Sequence, residues 1–320
     1  DKLAEEGIKF TDAHSPSAVC TPTRYSVLTG RYTWRSRLKR GVFGGYNKPL
    51  IEKDRPTVAS FLKENGYSTA CIGKWHLGLN WQTKNGKQPP SGGVYEQSNV
   101  DFTKPVSHGP NTLGFDYFFG TPGCVTDDPP FCYIENNKII GKADEYFPED
   151  PANEGRKIKA AEGWRHQDAD FDFMDKTINF IEKEVKKENS FFVYLPLSLP
   201  HIPWLPHEDF KGISGAGPRG DQVVMADFIL DRITDKLDEL KISGDTLIIF
   251  TSDNGPRPGV NGHQSAWKWR GYKGTIWEGG HRVPFIAKWP GKIKPGSTSD
   301  QLTVLTDLMA TTAAIIGEDY

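Results

Sequence analysis

Apolar residues recur along this chain with two alternating periods, and that alternation limits its possible folds more than any other feature. Phe171, Met174, Ile178, Ile181 and Val185 advance in steps of three and four, the period of an amphipathic helix. They run directly into a short apolar stretch at 191–197 that reads as a strand. Val223, Ala226, Leu230, Ile233, Leu237 and Leu240 repeat the helical spacing. Ser243-Gly244 breaks that helix, and a strongly apolar strand follows at 246–251. Earlier, residues 57–65 carry Val58, Phe61 and Leu62 on one face and stop at Gly66, ahead of a buried strand at 68–72. The opening residues 1–9 read as a helix, 285–287 as a strand and 306–316 as a last helix. Helices alternating with short, uniformly apolar strands predict an α/β fold with a largely parallel central sheet flanked by helices.

Three long connections interrupt this pattern, at 80–111, 121–161 and 254–282. Connections of that length in a compact domain usually carry function. With 33 glycines, 23 prolines and nine tryptophans, the chain is furnished for ordered loops rather than a helical bundle. The formal net charge of −2 provides no broad basic field for nucleic acid or an anionic membrane. No apolar run approaches membrane-spanning length. The four cysteines, Cys20, Cys71, Cys124 and Cys132, are too few for a disulfide scaffold, and the lack of a CxxC pair argues against a structural zinc site. Cys124 and Cys132 flank a proline-rich loop and are either bridged or two free thiols. The chain opens at Asp1 rather than Met, and a longer natural protein is expected at both ends.

Three short segments carry the chemistry. In Cys20-Thr21-Pro22-Thr23-Arg24, Pro22 suits a first helical turn, and Thr21 or Thr23 could help cap it. Cys20 then sits at a helix N-terminus, where N–H groups and the helix dipole favour anionic chemistry. Arg24, one turn on, reaches back to the same space. Taken alone, Cys20 is better read as an inert buried cysteine. Gly73-Lys74-Trp75-His76-Leu77-Gly78 follows the strand at 68–72, and parallel sheets place working groups at strand C-ends. Lys74 and His76 could there bind an anionic oxygen and move a proton, or be a surface lysine and a core histidine. Thr251-Ser252-Asp253-Asn254-Gly255 closes another strand. It is either a plain turn or a pair of hard oxygen ligands, Asp253 and Asn254, of the kind calcium accepts.

Together these segments resemble the type I, formylglycine-dependent sulfatases of the alkaline phosphatase-like superfamily. Cys-x-Pro-x-Arg continuing to Leu28-Thr29-Gly30-Arg31 is similar to the first family signature, and Gly-Lys-Trp-His-Leu-Gly to the second. The likeness runs in family order to Trp289-Pro290-Gly291. It implies an alkaline phosphatase-like three-layer sandwich, with residues 1–320 forming a catalytic domain that lacks its first strand and most of a C-terminal subdomain. It also implies that a formylglycine-generating maturation enzyme oxidises Cys20 to formylglycine. Arg24, Lys74, His76, His201, Asp253 and Lys273 become catalytic residues, and Asp253 and Asn254 hold Ca2+. His201 follows the strand at 191–197, and Lys273 lies in Gly271-Tyr272-Lys273-Gly274-Thr275 ahead of Glu278-Gly279-Gly280. The family's acidic pair, a further source of metal ligands, has no counterpart before Cys20.

The expected activity is sulfuric ester hydrolysis, with a sulfated sugar as substrate and an aryl sulfate as surrogate. His263 and Trp269, beside Trp267 and Lys268, either line the sugar site or pack their own loop. Arg165, His166 and Asp168 form a second polar cluster that either lines the same mouth or simply precedes the helix. The family's habits imply an exported compartment: periplasmic, extracellular or lysosomal. The alternatives are a phosphate or phosphonate monoester hydrolase of the same fold, and a non-catalytic binding protein or inert fragment without a full metal site.

Overall fold

The computed structural model describes residues 1–143, 145–146, 158–259 and 262–319. In chain order the helices and strands begin with α1 (Lys2–Glu5), β1 (Ile8–Phe10), β2 (Ala13–His14), α2 (Cys20–Thr29) and α3 (Val58–Glu64). They continue with β3 (Ser68–Lys74), β4 (Tyr117–Thr121), β5 (Ile134–Glu135), β6 (Lys138–Ile139), β7 (Glu145–Tyr146) and β8 (Lys159–Ala160). Next come α4 (Ala169–Lys186), β9 (Phe191–Tyr194), α5 (Gly217–Glu239), β10 (Ile248–Thr251) and α6 (Glu278–His281). The chain closes with β11 (Phe285–Lys288), β12 (Ser297–Ser299), β13 (Thr303–Val304) and α7 (Leu308–Ile316). Two compact units are formed, one from Asp1–Val42 with Thr234–Tyr320, the other from Phe43–Ile233.

In the first unit the sheet order is β10-β11-β1-β12. β11 runs antiparallel to both β10 and β1, and β12 runs parallel to β1. Ala13, Phe285, Ala287 and Leu305 form its core, with Ile8, Phe10, Ile249 and Leu308 packed against them. The expected helix over 1–9 stops at Glu5, and β1 takes its place beyond Gly7. A Cβ on Gly7 would lie 2.2 Å from the Ala287 carbonyl oxygen, so only glycine lets the chain turn in to pair with β11. The last helix begins as expected near Thr306, but its first turn is a 3-10 turn at Leu305–Asp307.

In the second unit the order is β6-β5-β4-β3-β9. β9, β3 and β4 are parallel, while β5 and β6 add an antiparallel hairpin at the edge. β3 is buried at every residue but its first, as a strand covered on both faces should be. α4 lays Ala169, Phe173 and Phe180 against Ala70, Ile72 and Phe119. α3 starts where the sequence indicates because Thr57 and Ser60 make a reciprocal capping box. β9 is shorter than its apolar run, ending before Pro196, whose carbonyl instead accepts from Lys74 N at 2.8 Å. The connection expected over 121–161 is described only in part, since residues 144 and 147–157 lie outside the described residues, as do 260–261 of the connection over 254–282.

Candidate active site

Cys20 is the first helical residue of α2, preceded by Val19 in extended conformation, and it is 3 % exposed. The threonines do not cap this helix: the N-cap is Val19, and Thr23 Oγ1 donates back to Ser17 O at 3.0 Å. One turn on, Arg24 donates from Nε (3.1 Å) and Nη2 (2.9 Å) to Asp253 Oδ2. Asp253 and Asn254 leave the C-end of β10. Asn254 Nδ2 donates to Gly255 O at 2.9 Å, while its Oδ1 is buried with no hydrogen-bond partner. A buried amide oxygen left unpaired costs about 1–3 kcal/mol unless something positive meets it. That orphan oxygen beside a carboxylate fits Ca2+, which takes hard oxygen ligands.

The glycines of this region are there because backbone approaches backbone. A Cβ on Gly255 would lie 2.0 Å from Gly279 O, one on Gly279 2.3 Å from Gly271 O, and one on Gly280 2.2 Å from Thr275 O. Gly255 N donates to Gly280 O at 2.8 Å and Gly279 N to Arg270 O at 2.8 Å. Lys273 N donates to Pro256 O at 2.8 Å, and Gly274 N to Ala18 O at 2.8 Å. The loop carrying Lys273 is thereby fixed to the segment after Asn254 and to the segment before Cys20.

In the second unit, Lys74 ends β3 and is 2 % exposed. Beyond it Trp75 N and His76 N donate to Thr121 O (3.0 Å) and Pro122 O (3.1 Å), so the motif follows the end of β4. Gly73 has φ +135°, and a Cβ there would lie 2.4 Å from Pro196 O. His76 is buried with φ +59°, a strained backbone for a histidine and a common mark of a working residue. Its Nε2 faces Phe43 O and, at 3.1 Å, Asp128 Oδ2. Burial opposes the charge on Asp128, yet His76 and Lys74 hold it well below the usual carboxylate range.

His201 follows β9, with Nδ1 at 2.7 Å from Ile202 O and 3.6 Å from Asp127 Oδ1. Burial, reinforced by Cys124, pushes the Asp127 carboxyl up to about 7. Cys124 lies 3.2 Å from Ser198 Oγ; burial would raise its thiol, but Lys74 and hydrogen bonds to Ser198 and Thr126 bring it below its ordinary value. All four cysteines are free and buried, so Cys124 and Cys132 do not bridge. Burial pushes the Cys132 thiol up to about 12.

The remaining expected positions divide. Trp269 has the Arg282 guanidinium 4.3 Å from its ring centroid and Lys268 Nζ at 5.1 Å, so the loop packs on that ring. Trp267 is 69 % exposed, and His263 is half-buried. His166 is buried against Val125 O and Trp164, and Arg165 pairs with Asp168 at 3.1 Å.

The sulfatase family model matches residues 1–318. The chain belongs to the sulfatase family. It is 32 % identical over 99 % of its length to an N-acetylgalactosamine-6-O-sulfatase of Bacteroides thetaiotaomicron, covering 67 % of that protein. It is 31 % identical over 99 % of its length to an arylsulfatase of Hemicentrotus pulcherrimus, covering 53 %. This sulfatase-family chain therefore spans between about half and two thirds of the curated relatives it matches. A solved Bacteroides thetaiotaomicron chain, reported under metabolism of multiple glycosaminoglycans, superposes with a TM-score of 0.85 at 31 % identity. It covers all of this chain, which covers 72 % of it. The fold is accordingly the alkaline phosphatase-like fold of the sulfatases.

Within this sulfatase-family chain, motif reading passed over Asp127 and Asp128, the carboxylates that face His201 and His76. A signal was present: Thr126-Asp127-Asp128-Pro129-Pro130 is a paired acid inside a long loop already marked as functional. Among the described residues no helix is long and apolar enough to cross a membrane.

Proposed function

We propose that this chain is the catalytic part of a sulfuric ester hydrolase acting on a sulfated carbohydrate, residues 1–320 belonging to one catalytic domain. The observation that carries the reading is Cys20 at the first position of α2, with Arg24 gripping Asp253 Oδ2 beside the orphan Asn254 Oδ1. Oxidised by a maturation enzyme to formylglycine, Cys20 would supply a hydrated aldehyde whose hydroxyl attacks the sulfur of the ester. Ca2+ held by Asp253 and Asn254, together with ligands from elsewhere, would neutralise sulfate oxygens as a Lewis acid.

The other roles belong to side chains of this chain. Asp253 orients the attacking hydroxyl and accepts its proton. Arg24 fixes the Asp253 carboxylate and, with Lys74, stabilises negative charge at the nucleophile. His201 and Lys273 protonate and stabilise the departing alcohol. His76, held by Asp128, serves as the base that regenerates the aldehyde. His263 and Trp269 contribute to sugar binding at the loop over 262–269. The bacterial relative named for N-acetylgalactosamine-6-sulfate supports a sulfated amino sugar as the substrate class. Secretion to a periplasmic, extracellular or lysosomal compartment completes the proposal.

The test is mass spectrometry of the tryptic peptide 10–24 from the native organism, paired with assays on the sulfate and phosphate esters of one alcohol. Formylglycine at position 20 with preference for the sulfate is expected. Unmodified cysteine at position 20, or a preference for the phosphate, overturns it.

A further inference from the structure

A second polar cluster stands in the first unit, on residues to which the proposed reaction gives no part. His14 lies on β2 and His281 ends α6, and their Nδ1 atoms are 2.9 Å apart. The partners of the other two ring nitrogens decide the protonation. His14 Nε2 is 2.9 Å from Asp12 Oδ1, and His281 Nε2 is 3.2 Å from Ile276 O. A carboxylate and a carbonyl only accept, so each Nε2 carries the hydrogen. Both neutral rings then point a bare Nδ1 lone pair at the other. Two lone pairs at hydrogen-bond distance repel unless a cation lies between them.

That cation is either a proton or a metal ion. A shared proton would satisfy the two nitrogens but would make no use of a third ligand atom beside them. Yet one ligand atom from each of His14, Glu278 and His281 lies within 4.8 Å of the others. An outer layer surrounds them: Arg282 Nη1 donates to Glu278 Oε2 at 2.6 Å, and Arg282 Nη2 lies 2.8 Å from Asp12 Oδ1. A carboxylate on the far nitrogen of a ligating histidine is the usual support of a metal-bound imidazole. Zn–N bonds of about 2.0–2.1 Å in a tetrahedral site separate two nitrogens by about 3.4 Å, so the rings need part by only about half an ångström.

We propose that His14, His281 and Glu278 bind a divalent transition-metal ion, zinc foremost, at a site separate from Asp253 and Asn254. Two imidazoles and one carboxylate form the ligand set zinc prefers, with a fourth position left for water. The ion ties β2 to α6, which already meet through Ser15 N donating to His281 O at 2.8 Å. It thereby steadies the segment leading to Cys20. The inference does not depend on the sulfatase chemistry proposed above.

Co2+ titration of the full-length, chelator-stripped protein in buffer containing Ca2+ tests it. One equivalent of Co2+ should produce visible ligand-field absorption that Zn2+ displaces. His14→Gln and His281→Gln should abolish it, Asp12→Asn should weaken binding about 10–100-fold, and Asp253→Asn should leave it intact. Wild-type protein alone decides the matter if a variant fails to fold. Absence of ligand-field bands overturns the proposal, and so does an imidazolium resonance shared by His14 and His281 that excess Zn2+ leaves unchanged. Loss of the bands in Asp253→Asn but not in His281→Gln overturns it too, by placing the ion elsewhere.

Discussion

Replacing Arg24 by Met retains most of the side chain's bulk and removes the charge that meets Asp253. The Arg24 side chain is 6 % exposed and that of Asp253 27 %. Breaking a buried pair costs about 3–5 kcal/mol because the surviving charge is left uncompensated. Asp253 keeps about a quarter of its surface in water, which moderates that penalty and sets the expectation for Arg24→Met at about 2–3 kcal/mol. Asp253→Asn takes the carboxylate from the more deeply buried guanidinium and should cost a similar amount. If the two side chains act as a pair, the double variant should fall short of the summed single losses by about 1–2 kcal/mol. Urea unfolding at neutral pH, with chelator present and an unchanged denaturant slope, measures all four corners of the cycle. Added Ca2+ should shrink the Arg24→Met penalty, since a cation on Asp253 replaces the lost one. Losses that add within about 0.5 kcal/mol would refute the pairing and leave the two residues as mere neighbours.

Further expectations follow from the second unit. Asp127 Oδ1 is buried with no hydrogen bond, and its carboxyl, raised from 3.8 to about 7, keeps a proton in the folded chain that the unfolded chain has lost. Stability should therefore fall as pH rises through that window, and Asp127→Asn should gain about 1–3 kcal/mol at pH ~7 but nothing below pH ~4; a gain independent of pH would contradict this. Gly73→Ala adds a Cβ 2.4 Å from Pro196 O at a φ of +135°, and should lose about 2–4 kcal/mol by thermal or urea unfolding. Thr57→Ala removes the capping box of α3 and should cost about 1 kcal/mol in the same measurement.

Much of the frame was legible because local signals and tertiary packing agree. Thr57 and Gly66 bracket α3, and the steps from Phe171 to Val185 fall inside α4. Cys20 sits at the helix start that Pro22 indicated. Reading failed where a partner elsewhere in the chain decides the conformation. Lys2 to Lys9 has helical composition, yet β1 forms because Ile8, Lys9 and Phe10 find Ala287, Ile286 and Phe285. β4 went unread because Tyr117-Phe118-Phe119-Gly120-Thr121 has no alternation, and only its pairing with β3 makes it a strand. At the candidate site, each motif was legible as a string, but the Arg24–Asp253 pair joins residues 229 apart in sequence. Val19 as the N-cap and Arg282 over Trp269 are likewise products of packing rather than of spacing.

The bonds from Lys273 to Pro256 and from Gly279 to Arg270 hold a long excursion of chain at its two roots. Both are backbone-to-backbone bonds, so they ask for no particular side chain in the stretch between them. Such a segment behaves as a cassette: the anchoring glycines and Trp269 under Arg282 bear the constraint, and the exposed Trp267 is under none of these bonds. On the proposed reading, exchanging residues 262–268 between members of the family should alter which sugar is accepted while leaving Lys273 and Trp269 in place.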